Sequence, residues 1–339
     1  MSALTVTELR TVAQLAALAP EWWALWRRCG ATPFQSPAWL LPWWDAFAPG
    51  ALRVLTIRRG AELVGLAPLY REDGSRGRRL LSLGIGASDY LDVLLDPERE
   101  QETAQALAQH IEDSLRDYDE CELGELPPGA AALRLRLPAG VIEHVDAHSV
   151  CPVLTLPPRI EALRQVIPAA KRQKLRTARN RAARRGEVEI LRGNAQNREQ
   201  LFSALVRLHG ARWQTRGEAG VLTDPRVVSF HRGAIAALDA AGLLRLWALR
   251  IGGEIVGAYY GFADAERAYA YLTGFDPAYE FESPGTILAG HAIEEAVRDG
   301  ASEFHLLRGR EAYKYSWGAA DRANRRRVWR KAEVYARVS

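Results

Sequence analysis

The chain has 339 residues, 48% hydrophobic and 25% charged, which is apolar enough for two ordinary domains and excludes a disordered or fibrous chain. Its net charge is a modest +4, and no apolar run reaches the roughly 20 residues of a membrane-crossing helix. Three scattered cysteines (Cys29, Cys121, Cys151) and an N-terminus, MSALTVTELR, without a basic-then-apolar leader speak against a disulfide framework, a zinc site or secretion, so the cytoplasm is the expected compartment.

From the N-terminus, TVAQLAAL, PEWWALWRRCG and SPAWLLPWWDAF read as helices, with Pro20 in a first turn, Gly30 at an end and Ser36 as a cap before Pro37. Six tryptophans lie between Trp22 and Trp44, suited to a packed interior or to stacking on sugars, with the interior favoured. LRVLTIRRGAELVGL (Leu52 to Leu66) is an alternating strand, a Gly-containing turn and a second strand, which predicts a β-hairpin. The strand LLSLGI follows. In SDYLD, Asp89, Tyr90 and Asp92 suit either a polar acceptor or a turn at a strand edge. DPERE (Asp96 to Glu100) opens an amphipathic helix ending in IEDSLRD, and CELGEL is a last strand.

Prolines in CPVLTLPPR mark a boundary, giving domains 1–155 and 156–339. KRQKLRTARNRAARR (Lys171 to Arg185) has eight basic residues and no acid, with an apolar stripe of Leu175, Ala178 and Ala182. It predicts a docked helix whose basic face suits solvent, tRNA or an anionic membrane. Only four lysines stand among the 45 basic residues, so arginine richness belongs to the whole chain and the solvated reading leads. The next helix, REQLFSALVRLHGARW, carries an apolar stripe of Leu201, Leu205 and Leu208. His209 shares a face with Arg212 or Trp213, which suits a substrate contact near a titratable imidazole or a packed helix end.

LRLWALRIGGEIVGA (Leu244 to Ala258) then repeats the first hairpin. The strand YAYLTGF, a helix opening at SPGT and ending in IEEAVRD, the strand FHLLRG and a basic RANRRRVWRK complete the chain. Hairpin, strand, helix and strand thus occur twice in one order. This predicts an α/β (α+β) fold of two tandem lobes, each a mainly antiparallel mixed sheet flanked by helices.

The copies differ in charge where the shared helix begins. A helix N-terminus offers N–H groups and a positive dipole end to phosphate oxygens. The carboxylates of DPERE satisfy that potential internally, whereas SPGT leaves it open through Ser283, Gly285 and Thr286, unless Ser283 serves only as a cap. The second lobe is therefore the candidate to bind a phosphate-bearing donor. The first is expected to be vestigial or acceptor-binding.

FQSPAW, SDYLD, LHGARW, YLTGFDP, SPGT and LRGREAYKYSWG together resemble the bacterial acetyltransferases associated with cellulose biosynthesis (the CelD type) of the GNAT superfamily. These are related to the two-lobed Fem-type peptidyltransferases, whose FKxxFG segment YKYSWG resembles. The likeness covers nearly the whole chain, but ESPGT stands where the usual GNAT diphosphate turn reads Q/RxxGxG/A. The resemblance implies an acyltransferase with acetyl-CoA or another acyl-CoA as co-substrate and no tightly bound cofactor. The implied acceptor is a small molecule or glycan, a sugar, polysaccharide or cell-envelope precursor, with peripheral association with a membrane-bound biosynthetic complex. The Fem-type relatives imply aminoacyl-tRNA as the alternative donor, and a binding module without turnover is the third reading.

On the GNAT plan two splayed strands grip the donor, which implies a site holding Gly274, Asp276, Arg308 and Glu311. Glu311 or Asp276 is the candidate base, Lys314 a cation for phosphate or developing charge, and Tyr313 or Tyr315 a proton donor. The plainer readings are a surface pair for Glu311 and Lys314 and a turn for Phe275 to Pro277. His209 is a further catalytic candidate and Arg212 and Trp213 are candidate substrate contacts. No metal-ligand, Ser-His-Asp or Cys-His pattern is present, so neither a metal nor a covalent intermediate is expected.

Overall fold

The computed structural model describes residues 3–137, 141–215 and 217–331. They form two compact units: one holds the described residues up to Ser149 and those from Arg322 on, the other Val150–Asp321.

In the first unit, β1 (Leu4–Leu9) precedes three helices, α1 (Val12–Ala17), α2 (Ala19–Arg28) and α3 (Pro37–Phe47). One arm of the expected hairpin is β2 (Ala51–Leu52) and β3 (Val54–Arg59); the other is β4 (Glu62–Ala67) and β5 (Leu69–Gly74). Pro68 interrupts that second arm, since proline gives no N–H to a ladder. There follow β6 (Gly77–Ser82), β7 (Leu94–Leu95), α4 (Glu100–Ser114), β8 (Glu120–Leu126) and β9 (Val141–Thr155), whose first part belongs here. With β15 (Ala320–Lys331) the strands run in the orders β1-β3-β4-β7 and β9-β15-β8-β6-β5-β2.

Leu55, Ile57, Leu107, Ile111, Leu123 and Trp329 share the core of this unit. Trp22, Trp26, Trp39, Trp43 and Trp44 are buried. The indole N–H groups of Trp22, Trp26 and Trp39 donate to Gln35 O (2.9 Å), Thr32 O (2.8 Å) and Ser88 Oγ (2.9 Å). The tryptophan-rich segment is interior, not a sugar platform. Ser36 holds the cap position of α3, but its hydroxyl donates to Pro33 O (2.7 Å).

The C-terminal stretch, expected in the second domain, belongs to the first because β15 pairs antiparallel with β8. Its arginines also face partners: Arg326 lies 2.7 Å from Glu122, while Arg330 pairs with Glu120 and Arg327 with Glu143. RANRRRVWRK is therefore largely neutralised within its own unit; the Lys331 side chain lies outside the described residues.

The second unit contains α5 (Leu163–Val166), α6 (Ala169–Arg185), β10 (Val188–Arg192), α7 (Arg198–Gln214) and α8 (Pro225–Ala240). β11 (Leu244–Ile251), β12 (Glu254–Ala263), β13 (Arg267–Phe275), α9 (Pro284–Arg298), β14 (Glu303–His305) and α10 (Ala312–Tyr315) complete it. Its sheet order is β10-β11-β12-β13-β14 and then the last residues of β9. β13 and β14 are parallel and the other neighbours antiparallel. The α6 stripe, Leu175, Ala178 and Ala182, packs in one core with Ile287, Leu288 and Ile293 of α9, Trp247 and Trp317. The turn of its hairpin needs φ > 0 at two successive residues, which Gly252 (φ 59) and Gly253 (φ 91) supply.

The duplication extends to hydrogen-bond register. Arg58↔Leu63 and Arg59↔Glu62 in one hairpin match Arg250↔Ile255 and Ile251↔Glu254 in the other. Each hairpin has a register shift at the same place, Ile57/Arg58 and Leu249/Arg250. α4 and α9 both have 15 residues. In each unit a non-glycine residue beyond the last parallel pair turns left-handed, Glu125 (φ 53) within β8 and Leu307 (φ 60) after β14.

Candidate functional site

β13 and β14 pair at only three positions, the last being Tyr269↔His305. Beyond them β13 continues to Phe275 along β12, with Tyr271 as an extra residue between Ala270 and Leu272. The other strand turns away: Leu306 and Gly309 N–H donate to Pro152 O (2.9 Å) and Val150 O (3.0 Å). Two parallel strands therefore part, leaving the end of β13 without a ladder partner on that side. A β-bulge beside such an opening re-aims side chains toward it.

Next to the end of β13 lies the opening of α9. Ser283 takes the N-cap position in a left-handed conformation (φ 54, ψ 58), and its hydroxyl donates to Glu280 O (3.3 Å) instead of capping. Pro284 has no N–H, and the amides of Thr286 and Ile287 donate to Ser283 O (3.0 and 3.2 Å). Gly285 keeps the one amide of this turn without a backbone acceptor. No acid stands in the first turn of α9, whereas α4 carries Glu100 and Glu102 there. The expected charge contrast is present, but its alignment needs correction. DPERE corresponds to DPAYE (Asp276 to Glu280), not to SPGT. Asp96 and Asp276 N–H donate to Val64 O and Val256 O, both at 2.9 Å, and each aspartate caps a short 3-10 turn. That turn is longer in the second unit, Pro277–Glu282 against Pro97–Arg99, so its helix starts later, at Pro284 instead of Glu100.

Asp276 is therefore a cap, its carboxylate accepting from Ala278 N–H (2.9 Å), which leaves it poorly placed as a base. Gly274 is required by contact: a Cβ there would lie 2.6 Å from His209 N. It lets α7 lie directly on β13. Lys314 is 3% exposed, and its ammonium donates to the carbonyls of Leu307 (2.9 Å), Arg308 and Gly309 (3.2 Å). With Glu311 at 3.0 Å, its hydrogens are all engaged, so it holds the 307–309 loop rather than a donor phosphate. The Glu311 side chain is 56% exposed and serves no backbone cap. Tyr315 donates to Asp321 (2.7 Å) and is thereby tied into the chain. Tyr313 is half exposed; burial, then Glu311, push its hydroxyl up to about 12, and Arg212 acts in the opposite sense. Arg212 also lies 5.0 Å from the Phe275 ring centre, so the end of α7, the end of β13 and α10 meet in one region.

His209 is buried, and its Nε2 accepts from Trp213 Nε1 (2.8 Å), one helical turn on. The ring proton is therefore on Nδ1, which is buried without a hydrogen-bond partner. Burial, with Arg212 nearby, lowers its pKa to about 4. A neutral imidazole whose basic nitrogen is occupied cannot take a proton at neutral pH, so His209 is a packing and positioning residue. His231, buried on α8, is lowered to about 3 by burial and His209.

In the first unit, SDYLD is folded inward. Asp92 accepts from Val93, Ala131 and Ala132 N–H (2.8, 2.7 and 2.8 Å), Tyr90 is buried against Phe34, and Asp89 O accepts from Asn324 (2.7 Å). Burial pushes the Asp92 carboxyl up to about 6 against those three amides. Asp92 and Tyr90 thus hold a loop rather than an acceptor. Two features escaped the sequence: the left-handed Leu307, for which no residue type signals, and Phe281 beside α6, an aromatic that local pattern assigns to a core.

Among the described residues no helix is long and apolar enough to cross a membrane, and no group of three or more His, Cys, Asp or Glu side chains could hold a metal ion. Residues 169–315 match the family described as acetyltransferase (GNAT) domain. Of solved structures, FemX is 10% identical, with a TM-score of 0.69 over 98% of this chain and 99% of that one. A conserved protein of unknown function from Bacteroides thetaiotaomicron VPI-5482 is 14% identical, with a TM-score of 0.60 over 97% and 100%. L-PGS from Bacillus licheniformis is 12% identical, with a TM-score of 0.57 over 92% of each chain. No curated protein matches the chain. The parted strands and the repeated hairpins agree with this match: residues 169–315 are similar to the acetyltransferase (GNAT) domain family, in a chain whose fold is like that of FemX.

Proposed function

We propose that the protein transfers an acyl group from an acyl-CoA to an amino or hydroxyl group of a sugar, polysaccharide or other cell-envelope precursor, as the resemblance to the CelD type implies. One observation carries the donor assignment: the acid-free opening of α9, with the Gly285 amide unengaged, stands beside the end of β13 where it has parted from β14. Backbone amides at a helix start favour a diphosphate, and strand amides beyond a splay suit the amide groups of a pantetheine arm. Glu311, anchored by Lys314 and open to solvent, is the base that deprotonates the incoming nucleophile, directly or through water. The test is calorimetry with acetyl-CoA and longer acyl-CoAs, where saturable heat and a raised melting temperature are expected. No heat and no stabilisation with any acyl-CoA rejects the reading.

A second reading takes aminoacyl-tRNA as donor, and the arginines of α6 beside the opening of α9 favour it. Filter binding of charged tRNA over a salt series tests it, because phosphate contacts impose a steep salt dependence. Absent or salt-insensitive binding rejects it.

A further inference from the structure

Between α6 and the turn Pro277–Glu282 lies a groove of about 590 Å³, whose walls include Asn180, Arg181, Arg184, Arg185 and Phe281. Phe281 is 66% exposed, the most open large apolar side chain among the described residues. One face of its ring is covered: the Arg181 guanidinium carbon lies 3.9 Å from the ring centre, and Arg181 Nη1 donates to Phe281 O (3.1 Å). Arg185 stacks likewise on Tyr279, at 3.8 Å, and pairs with Glu282 at 3.1 Å. Glu282 is buried and neutralised by that pair, so it offers no charge to the groove. Arg184 has no ion pair among the described residues.

An exposed ring backed by a guanidinium is a platform for a planar heteroaromatic ring. An unpaired arginine at its side is a seat for phosphate, and the Asn180 amide offers both a donor and an acceptor to a base edge. Planar base, polar edge and phosphate together make a nucleotide. The groove is also close along the chain to the proposed donor site: Phe281 stands two residues before Ser283 and four before the Gly285 amide.

We propose that the groove between α6 and the turn Pro277–Glu282 binds the nucleotide end of the donor, an adenosine bearing phosphates, with the base on Phe281 and a phosphate on Arg184. The inference rests on the reading of the second unit as donor-binding and extends it outward from α9. Two donors share that chemistry, the phosphorylated adenosine of coenzyme A and the terminal adenosine of a tRNA acceptor end.

The probe is adenosine 3′,5′-bisphosphate, titrated into the full chain by calorimetry beside acetyl-CoA and an acceptor-stem RNA ending in adenosine. Saturable binding of the bisphosphate is expected. Phe281→Ala should weaken it about tenfold or more, a single stacking contact being worth roughly 1–3 kcal/mol, and Phe281→Trp should preserve it. Arg184→Gln should weaken binding and flatten its salt dependence. Both side chains are exposed, so the variants should melt with the wild type. Equal binding by wild type, F281A and R184Q overturns the proposal, as does equal binding of ribose 5-phosphate, which lacks the base. If acetyl-CoA binds and the bisphosphate does not, the groove assignment fails while the donor reading stands. If the bisphosphate and the RNA bind and acetyl-CoA does not, the groove stands and the acyl-CoA reading fails.

Discussion

Replacing Lys314 by methionine separates a structural ammonium from a catalytic one. Lys314 is buried, and its Nζ reaches three successive carbonyls, Leu307, Arg308 and Gly309, around a left-handed Leu307. Methionine keeps the volume and removes every donor. Each carbonyl left without a partner costs roughly 1–3 kcal/mol, partly offset because the desolvated charge is no longer buried. The net expectation is a loss of about 3 kcal/mol. With a urea slope of roughly 1–3 kcal/mol/M, that moves the midpoint down by about 1–3 M. Tryptophan fluorescence is a suitable readout, since Trp317 is fully buried three residues from the substitution. Lys314→Arg should not restore stability, because a planar fork cannot direct three hydrogens at three consecutive carbonyls. Glu311→Gln, at the exposed end, should change stability by less than about 1 kcal/mol. A K314M protein that unfolds with the wild type yet has lost turnover would refute this account and return Lys314 to the reaction.

Other outcomes follow from single contacts. Gly274→Ala sets a Cβ 2.6 Å from the His209 backbone nitrogen, so it should lower stability by about 1–3 kcal/mol and abolish stabilisation by acyl-CoA, both read in thermal melts. Ser283→Gly relieves a left-handed strain of roughly 1 kcal/mol and should raise the melting temperature, whereas Ser283→Val should lower it. His209 and His231 are lowered to about 4 and about 3 from an ordinary 6.5, so below pH 6.5 the unfolded chain binds protons that the folded chain does not. Stability is then full above pH 6.5 and falls by about 2 kcal/mol per histidine toward pH 4.5. Urea midpoints at pH 7.5, 5.5 and 4.5 test this, and His209→Asn should shrink the fall. Equal midpoints at all three refute it.

The duplicated hairpins were legible because alternation and turn glycines are local signals, and the repeat carried even the bulge position. The inward turn of the tryptophans was legible for the same reason, since large rings at helical spacing are core material. The partners of polar groups were not. Nothing near Asp92 in sequence announces the amides of Ala131 and Ala132, and nothing near His209 except Trp213 shows that its nitrogen is occupied. DPERE does not align with SPGT because the 3-10 turn after the strand is longer in the second unit, Pro277–Glu282 against Pro97–Arg99, a difference that charge at the helix start does not signal. The longer turn carries Phe281, an exposed aromatic side chain.

The first unit is discontinuous, and this bears on how the chain is made. Its sheet lacks a member until β15 has left the ribosome, whereas Val150–Asp321 is one uninterrupted stretch. During synthesis the second unit can finish first, reversing the usual N-to-C order. Until then the unpaired edge of β8 is a site for wrong pairing and for chaperones. Truncations just before residue 322 should therefore damage the half of the protein farthest from the cut in sequence.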